Sequence, residues 1–117
     1  MLWNIEYYES EGGNLPVRDF IDSLAEQHQA KIIQRVDMLA AKGTTLKEPA
    51  VKNIKGKIWE LRIFVKENTY RIFYFAYTGR RMVLLHGFTK KTEKTPQREI
   101  DIAEERMKDY IRRNKND

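Results

Sequence analysis

The sequence contains no cysteine, so neither disulfides nor thiol chemistry are available to it. It has two histidines far apart, and without cysteine they leave a structural zinc site short of ligands. No apolar run approaches the roughly eighteen residues a membrane span requires. The opening Met-Leu-Trp-Asn-Ile-Glu lacks the basic and apolar regions of a signal peptide. A cytoplasmic protein with no membrane partner is expected. Basic residues are scarce at the start: residues 1–30 carry Glu6, Glu9, Glu11, Asp19, Asp22 and Glu26 against Arg18 alone. The balance inverts over residues 80–98, where Arg80, Arg81, Lys90, Lys91, Lys94 and Arg98 face only Glu93. The net charge of +5 is therefore unevenly spread. Such a spread suits a polyanion on one surface, and a plain solvated face would explain the charge equally well.

What is present has the size of one domain, residues 1–117, with room for a real core. Trp3 to Tyr8 interleaves aromatic and β-branched residues with polar ones, a strand pattern. Pro16 suits the first turn of a helix over 16–26, with Val17, Phe20, Ile21 and Leu24 at helical spacing. A second helix is expected from about Gln29 to Ala41, stopped by Gly43, and the two should form an antiparallel helical hairpin. Thr44 to Lys57 reads as a linker with rising basic content: Lys47, Lys52, Lys55 and Lys57. Three strands follow, Ile58–Val65, Tyr70–Tyr77 and Arg81–Phe88, divided by turn signals at 66–69 and at Thr78-Gly79. Thr95 is the expected N-cap of a closing helix that frays at 114–117. The order β-α-α-β-β-β-α predicts an α+β fold: a small antiparallel sheet with an N-terminal helical hairpin and a C-terminal helix.

Charged residues set into apolar strands cost free energy unless they are paired or functional, which singles out Arg62, Arg71 and His86. Closing the first hairpin around Glu67-Asn68 sets Val65 against Tyr70 and Leu61 against Tyr74, with an apolar face from Trp59 to Tyr74. Closing the second with a two-residue turn at Thr78-Gly79 sets Phe75 against Met82, Phe73 against Leu84 and Arg71 against His86. Glu60, Arg62, Arg71 and His86 then share one face. Lys55 and Lys57 before the first strand, and Lys90 and Lys91 after the third, are expected at one end of the sheet. A salt bridge would also explain Glu60 beside Arg62, and a hydrogen-bonded structural role would explain His86.

The runs Trp59-Glu60-Leu61-Arg62, Tyr70-Arg71-Ile72-Phe73-Tyr74-Phe75, Leu84-Leu85-His86-Gly87-Phe88-Thr89-Lys90-Lys91-Thr92 and Lys94-Thr95-Pro96 resemble the phage-derived, HigB-like branch of the RelE/ParE toxin superfamily. The resemblance covers nearly the whole chain and implies the same α+β architecture. It implies a toxin that cuts mRNA on the ribosome without a metal or other cofactor. It also implies a cognate antitoxin, HigA-like, with a helix-turn-helix domain. Cleavage of this kind is a transphosphorylation by the 2′-hydroxyl, needing a base, cations on the phosphorane and an acid for the leaving 5′-oxygen.

By resemblance Arg71 holds the scissile phosphate, Lys90 or Lys91 serves as acid or charge stabiliser, and Arg62 binds phosphate or holds Glu60. Lys55, Lys57 and Lys94 bind RNA. Ile58 and Glu60 stand where RelE has lysines, so the base is left among Glu60, His86 and Lys57. Tyr110 lies too far along the last helix to replace the base-orienting tyrosine of relatives. ParE-type members instead inhibit gyrase by binding, and that is the alternative reading.

Overall fold

The computed structural model describes residues 2–115. Alternating Ile5 and Tyr7 form β1 (Asn4–Tyr7), and Pro16 opens α1 (Pro16–Asp22) at its first turn. The first helix ends earlier than its apolar spacing suggests, and α2 (Glu26–Lys42) begins earlier. The reason is Gln29, whose side-chain amide donates to the carbonyls of Leu24 (2.8 Å) and Asp22 (3.3 Å) and so closes the turn between the helices. Gly43 ends α2 at φ 53°, as its place after the apolar stripe predicts. A Cβ there would lie 2.0 Å from the Trp3 ring.

The stretch expected as a linker holds a 3-10 turn (Gly43–Thr45) and a further strand, β2 (Val51–Lys55). Then come β3 (Ile58–Val65), β4 (Asn68–Tyr77) and β5 (Arg81–Thr89), followed by α3 (Gln97–Asn114). The N-cap of α3 is Pro96 and not Thr95, with no side-chain cap. Asn114 remains helical, its side chain donating to the Tyr110 carbonyl (2.8 Å), and the rest of the expected fraying falls on 115–117, of which 116 and 117 lie outside the described residues.

The strand order is β1-β5-β4-β3-β2. β1 runs parallel to β5 and all other neighbours are antiparallel, so the sheet is mixed. Helices α1 and α2 cover one face, over β5 and β3 respectively. There Val17, Ile21, Ile32, Val36 and Leu39 pack on Leu61, Ile63, Ile72 and Leu84. Gly87 of β5 lets α1 approach closely, since a Cβ on it would stand 2.7 Å from the Phe20 ring. On the other face α3 lies chiefly over β5 and β4, with Ala103 and Tyr110 against Phe73, Phe75, Val83 and Leu85. Among the described residues no helix is long and apolar enough to cross a membrane.

Both hairpin registers differ from expectation, with different consequences. The first turn is Lys66-Glu67, with Lys66 at φ 55°, so Val65 faces Asn68 and Leu61 faces Ile72. The slip is two residues, an even number, and the faces stand as predicted. The second turn has three residues, Thr78 to Arg80, so Phe75 faces Val83 and not Met82. That odd shift sends Met82 and Leu84 to the α1–α2 face. A bulge between Phe73 and Tyr74 of the ladder then admits Leu85 as an extra residue, and His86 faces Phe73. Arg71 faces Phe88 and not His86.

Candidate functional site

Alternation along β3 carries Glu60, Arg62 and Phe64 onto the face that α3 partly covers. Arg62 stands directly across the ladder from Arg71 of β4. Two like charges so placed repel, and Glu60 relieves them. Arg62 Nε donates to Glu60 Oε1 (3.1 Å), and Arg71 Nε lies 3.3 Å from Oε2. Glu60 is 1% exposed and Arg71 6%, so this triad is desolvated and holds its geometry. One carboxylate cannot satisfy two guanidinium groups: Nε and Nη1 of Arg71 and Oε2 of Glu60 are all buried without a hydrogen-bond partner among the described residues, so Arg71 and Glu60 meet as an ion pair only. Arg71 also rests on the Phe64 ring, 5.5 Å from its centroid.

Two lysines complete the cluster. Lys52 of β2 pairs with Glu60 across the ladder. Lys90 leaves the end of β5 with its backbone N–H bonded to the Thr69 carbonyl (2.7 Å), which brings it to the hairpin end of β4. Desolvation holds the Lys90 ammonium below its usual pKa, and Arg71, Arg62 and Lys52 push the same way against Glu60. Desolvation likewise lowers Arg71, opposed by Glu60 and reinforced by Arg62. Four cations thus surround one carboxylate, an arrangement that favours an anion with several oxygens.

Other expected site residues lie elsewhere. With the middle strand reversing, β3 and β5 run parallel, so the start of one and the end of the other fall at opposite ends of the sheet. Lys55 and Lys57 are therefore remote from Lys90. Lys55 pairs with Glu104 of α3 (3.1 Å). Lys57 lines a cleft of about 410 Å³ with Leu46, Trp59 and Tyr74, on the opposite face. Lys91 and Lys94 are exposed in the loop after β5. A concavity of about 1010 Å³ lies between α3 and the β1–α1 loop, where Glu11, Asp19, Glu105 and Asp109 face Arg106, Lys108 and Arg112. Its mixed charge gives a polyanion no preference.

His86 lies under α3. Its Nδ1 accepts from Arg106 Nη1 (3.2 Å), so its proton is on Nε2, which donates to Glu99 Oε1 (2.7 Å). Arg106 also donates to the Leu85 carbonyl (2.9 Å), satisfying the bulge. Burial lowers the His86 pKa from its usual 6.5, Glu99 opposing and Arg106 and Arg98 assisting. The neutral ring is what this packing stabilises. Its contribution is complete above the unfolded value and fades as pH falls through the lower folded one. Wild-type protein should accordingly lose more stability between pH 7.5 and 5.5 than His86→Gln. The difference can reach about 1.4 kcal/mol in all, since it accrues over the pH unit below the unfolded value. Urea midpoints at the two pH values test this, and equal losses in both proteins would assign the titration to another group.

Tyr110, in turn, is buried and donates to Glu6 Oε1 (2.5 Å) while accepting from Arg81 (3.2 Å), which ties α3 to β1 and β5. Two neighbours of the arginines were not among the expected site residues. Lys52 acquires its place only through the pairing of β2 with β3, and Phe64 only through its exposure.

A family model described as "Phage derived protein Gp49-like (DUF891)" matches residues 19–108, a span that includes Lys52, Glu60, Arg62, Arg71 and Lys90. Among curated proteins, "Probable endoribonuclease HigB1" of Mycobacterium tuberculosis is 34% identical over 91 residues, in strains CDC 1551 / Oshkosh and ATCC 25618 / H37Rv alike. The match covers 78% of this chain and 70% of that protein.

Proposed function

The chain belongs to the phage-derived Gp49-like family, and from that premise we propose that it is the toxin of a toxin–antitoxin pair, an endoribonuclease that cuts mRNA on the ribosome. The observation that carries the reading is the buried Arg71 guanidinium, ion-paired with Glu60 at 3.3 Å, whose Nε and Nη1 both lack a hydrogen-bond acceptor among the described residues. Burying such a group is costly unless a ligand completes it, and a planar donor fork matches phosphate. The kinship with a protein named as a probable endoribonuclease supports the same substrate class. The partner that restrains it would be an antitoxin encoded beside it.

In this mechanism Arg71 and Arg62 hold the non-bridging oxygens of the scissile phosphate and take up the charge that grows on the phosphorane. Glu60 orients both arginines and does not touch the substrate. Lys90, its proton loosened by desolvation and neighbouring cations, protonates the leaving 5′-oxygen as the 2′-oxygen closes the cyclic phosphate. Of the three residues considered as base, Glu60 is buried and ion-paired with two guanidiniums, His86 is bonded through both ring nitrogens, and Lys57 faces the other side of the sheet. The 2′-proton is left to solvent, its loss eased by the surrounding positive charge.

The test is pulse expression followed by mapping of transcript 5′ ends. Wild type should give discrete cuts in translated messages. Lys90→Arg keeps the charge but cannot release a proton, and should slow cutting by about 10²-fold or more. Full rescue by arginine would make Lys90 a charge stabiliser only. Intact messages together with gyrase-linked DNA breaks would sink the nuclease reading altogether.

A further inference from the structure

We infer that Phe64 is a nucleobase-stacking platform, so that the cluster binds single-stranded RNA by a phosphate and an adjoining unstacked base. The inference rests on the nuclease reading for the identity of the polyanion. Its own ground is the placement of one side chain. The residues of β3 that face α1 and α2 include Leu61 and Ile63, both fully buried. Phe64 is on the other face, with Glu60 and Arg62, and is 56% exposed. A lone exposed apolar residue means little, but this one shares a face with Arg62 and touches Arg71, the most buried cation of the cluster. One side of the ring receives the Arg71 guanidinium, and much of the remainder meets solvent. Phe64 also pairs with Thr69, whose carbonyl holds the Lys90 backbone. The ring therefore touches Arg71 and lies in one row with Thr69 and Lys90 across the sheet.

A flat apolar surface set in a positive groove is the combination that holds single-stranded nucleic acid: cations take the backbone while the ring takes a base. The Arg71 guanidinium, the phenyl ring and an incoming base would form one stack, with the phosphate of that nucleotide or its neighbour held by the cations of the cluster. Stacking of this kind accepts any base and requires that the base leave a helix. Single strands are therefore the ligand class, and duplex RNA, whose bases are enclosed, is excluded. A docking protein would also value an exposed phenyl ring, but it would give no dependence on a base.

Fluorescence anisotropy with a 2′-O-methyl decaribonucleotide at low salt tests the subsite. No transphosphorylation can cut that probe, so the measurement stands whether or not the protein is a nuclease. Phe64→Ala should weaken binding about tenfold, Phe64→Trp should bind at least as tightly as wild type, and the duplex form of the probe should bind poorly. Removing the base at successive positions of the probe should find one position where wild type loses the same factor and Phe64→Ala loses nothing further. The ring is exposed, so these variants fold. Unchanged affinity in Phe64→Ala, losses that multiply at every abasic position, or no binding by wild type would each overturn the subsite. A protein that cuts transcripts while Phe64→Ala binds normally would overturn the subsite and leave the nuclease standing.

Discussion

Arg71→Lys is expected to abolish growth arrest while leaving a folded protein. Lysine keeps the positive charge that Glu60 needs, yet supplies a point donor where the site offers a fork. The lost feature is the pair of parallel N–H groups that can hold two phosphate oxygens while the carboxylate holds the rest of the guanidinium. Removing a cation that acts on a phosphorane costs about 10²–10³ in rate where a single donor is lost, and up to about 10⁵ for an arginine in phosphoryl transfer. Arg71→Ala should therefore fall by about 10³ or more, and Arg71→Lys by somewhat less. Transcript-end mapping gives the activity, and circular dichroism with urea melts gives the fold. Wild-type cutting by either variant would reduce Arg71 to a partner of Glu60.

The largest stability effect is expected at Glu60. Its carboxylate is the one acid shared by Arg62 and Arg71, which face each other across the ladder. Glu60→Leu leaves two guanidiniums opposed with no counter-charge, one of them almost fully buried. Breaking a buried ion pair from one side costs about 3–5 kcal/mol, because the remaining charge stays desolvated. Much of a small domain's stability lies in that range. The double variant Glu60→Leu/Arg71→Met should recover most of the loss while remaining inactive, since an apolar pair can replace a buried ionic one. Chemical denaturation of the two single variants and the double variant forms the cycle. Additive losses would mean that the carboxylate and Arg71 are not coupled, and that the buried contact at 3.3 Å is incidental.

The sequence carried the fold where patterns were strong. β3 alternates so clearly from Trp59 to Val65 that a turn misplaced by two residues changed no face. β5 could not be read in the same way. Met82, Val83, Leu84 and Leu85 are all apolar, so nothing in their order says which two face α1. The turn before them hides its length, because Arg80 adopts φ 55° although arginine rarely marks a left-handed position. The bulge at Leu85 is also silent, since the residue that completes it, Arg106, is on a different element. The two irregularities cancel at His86, which returns to the expected face but beside Phe73 and away from Arg71. β2 was missed because an edge strand with only Val51 fully buried has no apolar alternation to display. With it went Lys52, whose position depends wholly on pairing.

The dimensions of the sheet bear on how this protein behaves in solution. Its three inner strands have eight, ten and nine residues, whereas the outer two have four and five. β2 is further broken by a register shift between Asn53 and Lys55, with the Asn53 amide turned back to the carbonyls of Gly56 and Ile58. Lysines occupy two of its five positions. A short, kinked, charged margin gives a second molecule little ladder to extend. The long β-rich segments that could seed fibrils are enclosed on both sides by strands too brief to template them. The borders of the sheet thus offer an incoming strand little to extend, a safeguard separate from net charge.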